Sequence, residues 1–61
     1  MIKKNDFVKT NYSDRIYQVD IINGDRLYIV HPFTERWIKK NEVEKISKPN
    51  TTRMIEDGWV K

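Results

Sequence analysis

The 61 residues amount to 7.4 kDa and carry a formal net charge of +3 at pH 7, which is enough chain for one small domain and no second core. The sequence has no cysteine and a single histidine, which excludes disulfides, thiolate zinc sites, cysteine nucleophiles and multi-histidine metal sites. No apolar run is long enough for a transmembrane helix or a signal-peptide core. We therefore predict a small soluble protein of the cytoplasm.

The apolar residues favour strands over helices. There are eight Ile, five Val and four Thr, but only one Leu and no Ala. β-Branched side chains pack well on a pleated sheet, whereas Ala and Leu lead the helix propensity scale. The composition predicts an all-β fold.

Five short β-prone segments follow one another, separated by turn formers. In the second segment, Tyr17, Val19 and Ile21 alternate with polar residues and share one face. The pair Asn23-Gly24 then predicts a tight hairpin turn, because both residues tolerate positive φ. Residues 32–35 make a second tight connection, and residues 41–43 a single helical turn. We predict strands at about residues 6–10, 15–22, 26–31, 36–40 and 44–46.

The inward-facing residues of these strands define the predicted core. It should contain Phe7 or Val8 together with Tyr17, Val19, Ile21, Leu27, Ile29, Ile38, Val43 and Ile46.

After the fifth strand the composition changes to that of a linker and a C-terminal extension. Thr52 could cap one helical turn from Arg53 to Asp57, which Gly58 would end. Two readings stay open for residues 47–61. Either Met54, Ile55 and Trp59 fold back onto the strands of residues 1–46, or the segment is a flexible tail or partner-binding peptide.

The string Arg36-Trp37-Ile38-Lys39-Lys40-Asn41-Glu42-Val43-Glu44 resembles the closing segment of SH3-like barrels. In that superfamily a strand with one buried aliphatic residue runs into a single 3₁₀ turn, and a second buried aliphatic residue opens the last strand. The resemblance implies that Ile38 and Val43 enter the core and that Asn41 lies in the turn. The hairpin of residues 15–30 is also similar to the central hairpin of Tudor and KOW-type barrels. The expected fold is a five-stranded, antiparallel, SH3-like barrel with a short C-terminal extension.

Two departures from this resemblance limit the function that it implies. Lys39 and Glu42 stand where peptide-binding SH3 domains have a proline and a tyrosine, so a polyproline ligand is disfavoured. The glycine-rich turn of KOW domains is also unmatched.

The sequence does not predict an enzyme. His31, the only imidazole, precedes Pro32 at a strand end, where a structural histidine is the common outcome. The acid pairs Glu42/Glu44 and Glu56/Asp57 are typical of solvated surface charges, and no glycine-rich phosphate loop is present. We expect no catalytic residue, no metal and no cofactor.

Basic residues concentrate in one stretch of the chain. Residues 36–48 contain five basic and two acidic side chains, and such a stripe can contact phosphates, although an ordinary solubilising face is the alternative. We predict DNA or RNA binding through Arg36, Trp37, Lys39, Lys40 and Lys45.

The aromatic residues Tyr12, Tyr28, Phe33 and Trp37 fall in predicted loops or opposite the predicted core. Flanked by Arg26, Arg36 and Lys39, they suit base stacking or a protein contact equally well, unless Trp37 covers the barrel mouth under the extension. The competing hypothesis is therefore a protein-interaction or inhibitor module that uses these four rings, with self-association as one form. The abundance of Ile, Lys and Asn indicates an A/T-rich bacterium, or a phage or mobile element of one.

Overall fold

The computed structural model describes residues 1–60 and consists of five strands, one turn of 3₁₀ helix and one short α-helix. Lys61, the last residue of the predicted extension, lies outside the described residues. The strands are β1 (Phe7–Thr10), β2 (Ile16–Asn23), β3 (Arg26–His31), β4 (Thr34–Lys39) and β5 (Val43–Ile46). The 3₁₀ turn η1 (Lys40–Glu42) joins β4 to β5, and α1 (Thr51–Glu56) follows β5. Within residues 1–60, no helix is long and apolar enough to cross a membrane.

The five strands form one antiparallel sheet in the order β4-β3-β2-β1-β5. The predicted all-β class, with five strands and a short C-terminal helical element, is confirmed. The largest difference lies at β4, which begins at Thr34 because the β3–β4 turn contains only Pro32 and Phe33. β4 and β5 are the two edges of the sheet.

A β-bulge in β2 changes which side chains face the core. Val19 pairs with Ile29, whereas the next paired residue is Ile21, opposite Tyr28, so Asp20 is the extra residue. An extra residue reverses the alternation of side chains beyond it. The prediction that Ile21 enters the core is therefore wrong: Ile21 is 47% exposed.

The core lies on one side of the sheet, and we call the opposite side the outer face. The core cluster consists of Val8, Tyr17, Val19, Leu27, Ile29, Ile38 and Val43. All seven were predicted, including Ile38 and Val43 on either side of η1. Of the other predicted core residues, Phe7 and Ile46 are half-buried and lie outside this cluster.

The helix α1 begins at Thr51, two residues earlier than predicted, and Thr52 is not its cap. Its N-cap is Asn50, whose side-chain oxygen accepts a hydrogen bond from the Arg53 N–H at 3.1 Å. Gly58 ends the helical segment at φ +89°, a conformation that glycine adopts without strain. The Trp59 N–H then donates to the Met54 carbonyl at 2.9 Å, which turns the chain back toward the sheet.

The extension is held on the outer face by the first residue of β2. The Ile16 N–H donates to Asp57 Oδ2 at 2.8 Å, and the Ile16 carbonyl accepts a hydrogen bond from Trp59 Nε1 at 2.9 Å. The Trp59 ring also packs edge-on against Phe7, with 5.6 Å between ring centroids. Ile16 is consequently buried, although it lies outside the core cluster, while Ile55 stays exposed.

Candidate nucleic-acid interface

The outer face of the sheet has a covered part and an open part. The extension covers the part formed by β1 and the start of β2, where Trp59 contacts Phe7 and Ile16. The part formed by β3, β4 and the end of β2, beyond the bulge, has no such cover. We call this second region the open face and define it by Ile21, Arg26, Tyr28, Trp37 and Lys39.

A row of apolar and aromatic side chains crosses the open face. Strand register places Ile21 opposite Tyr28 and Tyr28 opposite Trp37. The Tyr28 and Trp37 rings are in contact, with centroids 5.2 Å apart and planes at 55°. Trp37 is 48% exposed, so a large ring surface is available to a ligand. The possibility that Trp37 is covered by the extension is therefore wrong, since Trp59 of the extension packs against Phe7 instead.

Two cations lie directly beside this row. Arg26 and Lys39 are cross-strand partners on the open face, and like charges in directly opposite positions destabilise a sheet. Neither forms a salt bridge within residues 1–60. Together with Trp37, Ile38 and Glu42 they line a surface hollow of about 240 Å³. The hollow therefore combines an exposed indole, two cations that form no salt bridge within residues 1–60, and one carboxylate, that of Glu42.

The opposite end of the open face is acidic. The pKa of Tyr28 is raised above its ordinary value, first by a hydrogen bond with Glu35, then by desolvation and by the negative charges of Glu35 and Asp20. The phenol therefore stays neutral in the physiological range. Trp37, with 48% of its surface exposed, is the ring of this pair with the clearest access to a ligand.

The structure brings together only part of the predicted nucleic-acid site. Trp37 and Lys39 lie on the open face, and Lys40 follows in η1, where its backbone N–H donates to the Asp25 carbonyl at 2.8 Å. Arg36 lies between Trp37 and Lys39 in sequence and therefore projects from the other face of β4. Lys45 is on the far edge strand β5, with Nζ 3.5 Å from Asp6 Oδ2.

The four rings predicted to bind a partner do not form one surface. Tyr28 and Trp37 are neighbours, but Tyr12 lies in the β1–β2 loop, 69% exposed. Phe33 lies in the β3–β4 turn, 79% exposed, with its ring near His31 and Gly58. A single ligand on the open face would contact Tyr28 and Trp37 without either of the other two rings.

Sequence reasoning missed Ile21 as a member of the open face and treated Arg26 only as a flanking charge. The adjacent apolar residues Ile21 and Ile22 break the alternation and indicate a twist or bulge that turns Ile22 inward. The sequence did not show that the extra residue is Asp20, which turns Ile21 outward.

A second polar cluster, His31 with Asp57, is buried between β3 and the extension. His31 Nδ1 accepts a hydrogen bond from the Phe33 N–H at 3.2 Å. His31 Nε2 lies 3.9 Å from Asp57 Oδ2 and has no hydrogen-bond partner within residues 1–60. Asp57 already accepts the Ile16 N–H. These contacts hold the extension against β3.

Burial lowers the pKa of His31, with Asp57 opposing the shift and Arg15 adding to it. A histidine whose pKa in the folded state lies below its unfolded value of about 6.5 is held neutral by the fold. Protonation of its imidazole therefore lowers the stability of the folded state. We expect the free energy of unfolding to fall as the pH drops below about 6.5. Urea titrations at pH 7.5 and 5.5 measure this, and His31→Phe should remove most of the difference. A stability that rises between these pH values on acidification would contradict the expectation.

No group of three or more potential metal ligands occurs within residues 1–60. Comparison of the chain with protein-family models, curated proteins and solved structures finds no match. The geometry of the open face is thus the basis for assigning a function.

Proposed function

We propose that the chain is an SH3-like barrel that binds single-stranded DNA or RNA on its open face without catalysing a reaction, in the cytoplasm. One observation carries the proposal. Arg26 and Lys39, which form no salt bridge within residues 1–60, lie beside the exposed ring of Trp37. The barrel is supported by η1, which separates the buried residues Ile38 and Val43 as the resemblance implies.

The chemistry of the open face suits an unpaired strand. A base can stack on the Trp37 ring, and stacking on an aromatic side chain contributes about 1–3 kcal/mol per base with little dependence on sequence. Phosphates on either side of that base would then meet Arg26 and Lys39. Bases inside a duplex are stacked on one another, so they cannot use such a ring without being unstacked.

Fluorescence titration with short single-stranded DNA and RNA, and with a duplex of the same sequence, tests this proposal. We expect quenching of tryptophan emission by the single strands and weaker binding of the duplex. With two phosphate contacts, log K should fall with log salt at a slope of about −1.4. Trp37→Ala should weaken binding about tenfold or more.

Two double variants with the same loss of charge distinguish binding through the open face from binding through the overall positive charge of the protein. Arg26→Gln with Lys39→Gln should abolish most of the salt dependence. Lys4→Gln with Lys48→Gln removes the same charge at exposed positions elsewhere and should change binding little. Absence of binding at low salt, or equal loss in both double variants, would reject the open face as a nucleic-acid site.

The contiguous row Ile21, Tyr28 and Trp37 supports a second candidate, a protein partner whose apolar side chains cover it. This candidate is favoured if nucleic acids fail to bind in the titration above.

A further inference from the structure

β4 is an unpaired edge of the sheet with exposed side chains. Its partner β3 lies on one side only, and Glu35, Arg36, Trp37 and Lys39 are all exposed. An edge strand presents backbone N–H and C=O groups that can pair with another strand. Charged side chains on an edge strand usually oppose such pairing, so pairing through β4 requires that its acid and its base meet charges of opposite sign.

The open-face residues of β4 are self-complementary in charge. Glu35, Trp37 and Lys39 alternate along the strand and share one face. If a second copy pairs with β4 antiparallel, with Trp37 opposite Trp37, then each Glu35 stands opposite a Lys39. We propose that two copies of this chain associate through β4 in this register, forming a two-fold dimer with a continuous sheet.

Neighbouring registers lack this complementarity. A two-fold axis at Arg36 places Arg36 opposite Arg36, and like charges in directly opposite positions are destabilising. An axis at Ile38 sets Lys39 opposite Trp37 and leaves Glu35 without a cation. The Trp37 axis alone among these three supplies two opposite-charge pairs and one aromatic pair, each of which stabilises a sheet.

The pairing also accounts for two features of the isolated chain. Lys39 faces Arg26 and has no acidic partner within residues 1–60, and Glu35 of the second copy would supply one. Glu35 alternates with Trp37 and Lys39 along β4, which places its carboxylate on the open face near the Tyr28 hydroxyl. A carboxylate has enough lone pairs to accept from both the phenol and a lysine.

Sedimentation of the nucleic-acid-free protein tests the dimer. One strand pair is a small interface, so we expect association only in a range of about 10 to 500 µM. The average molar mass measured by sedimentation should rise from 7.4 kDa toward twice that value as the protein concentration increases. Glu35→Lys and Lys39→Glu should each weaken association about tenfold or more, because each creates two like-charge contacts per dimer.

Mixing the two charge variants gives the decisive result. At positions 35 and 39, the Glu35→Lys variant carries two positive charges and the Lys39→Glu variant two negative charges. An equimolar mixture should therefore form a heterodimer although each variant alone is monomeric. Glu35→Lys combined with Lys39→Glu in one chain should restore the homodimer. A wild type that stays monomeric, single variants that associate like wild type, or a mixture that stays monomeric would each overturn the proposal. Circular dichroism confirms that these surface variants are folded.

Lys39 and Trp37 belong to both proposals, so a strand of nucleic acid and the second copy would compete for them, and a residue outside β4 is needed to tell the failure of one proposal from the failure of the other. Arg26 lies on β3 and takes no part in the β4 pairing. Arg26→Gln should therefore leave the sedimentation behaviour unchanged while it weakens nucleic-acid binding.

Discussion

Replacing Leu27 by alanine should leave most of the protein unfolded at room temperature. Leu27 is 0% exposed and belongs to the core cluster shared by the strands. Truncating a buried leucine costs about 2–5 kcal/mol, and a core of this size rarely supplies more than about 5 kcal/mol of net stability. Urea denaturation followed by circular dichroism should show a large loss of cooperative unfolding, or no folded baseline.

Ile21→Ala is the matched control for this change. Like Leu27→Ala, it removes aliphatic carbons from a branched side chain of the β2–β3 hairpin. Ile21, however, lies on the open face beyond the bulge. We expect a loss of about 1 kcal/mol or less, as for most partly exposed positions. Equal destabilisation by the two variants would mean that the register beyond Asp20 is not the one described.

Asp57→Ala should release the extension from the sheet. The substitution deletes the acceptor of the Ile16 N–H, a buried hydrogen bond of 2.8 Å, and an unpaired buried N–H costs about 1–3 kcal/mol. In a chain of marginal stability we expect a clear drop in the midpoint of thermal unfolding. Faster hydrogen exchange at the Ile16 amide and a changed Trp59 emission should accompany the drop.

Asp57→Asn tests whether the acceptor or the charge matters. The amide oxygen can still accept from the Ile16 N–H, so most of the lost stability should return. If Asp57→Asn is as destabilising as Asp57→Ala, the charge of Asp57 facing His31 and Arg53 carries the effect instead. If neither variant is destabilised, Asp57 does not anchor the extension.

Alternation and turn chemistry were sufficient to predict most of the strands. The hairpin between β2 and β3 was predicted, but its two turn residues are Gly24 and Asp25, one position later than the predicted pair Asn23-Gly24, because Asn23 pairs with Arg26 and, of these turn residues, only Gly24 has a positive φ. Leu27, Ile29, Ile38 and Val43 are buried as expected. Ile21 was misassigned because a bulge depends on how two strands pair, and no single residue type marks it. The start of β4 was placed two residues late because Thr34 and Glu35 suit a turn as well as a strand.

The candidate site was harder to predict than the fold, since it depends on which side chains share a face. Trp37 and Lys39 are two residues apart on a strand and lie together, whereas Arg36 between them does not. Lys45 was counted as a free charge, but Asp6 lies beside it. The pairing of Arg26 with Lys39 depends on the two-residue β3–β4 turn, whereas the sequence predicted a four-residue connection over residues 32–35.

The two hydrogen bonds of Ile16 also bear on how the protein is made. Both groups that complete the first residue of β2 come from Asp57 and Trp59, 41 and 43 positions later. During translation the hairpin of β2 and β3 emerges long before these partners do. Until residues 57 and 59 have been synthesised, the backbone N–H and C=O groups of Ile16 lack these partners, so we expect the start of β2 to be the last part of the sheet to become fully hydrogen-bonded.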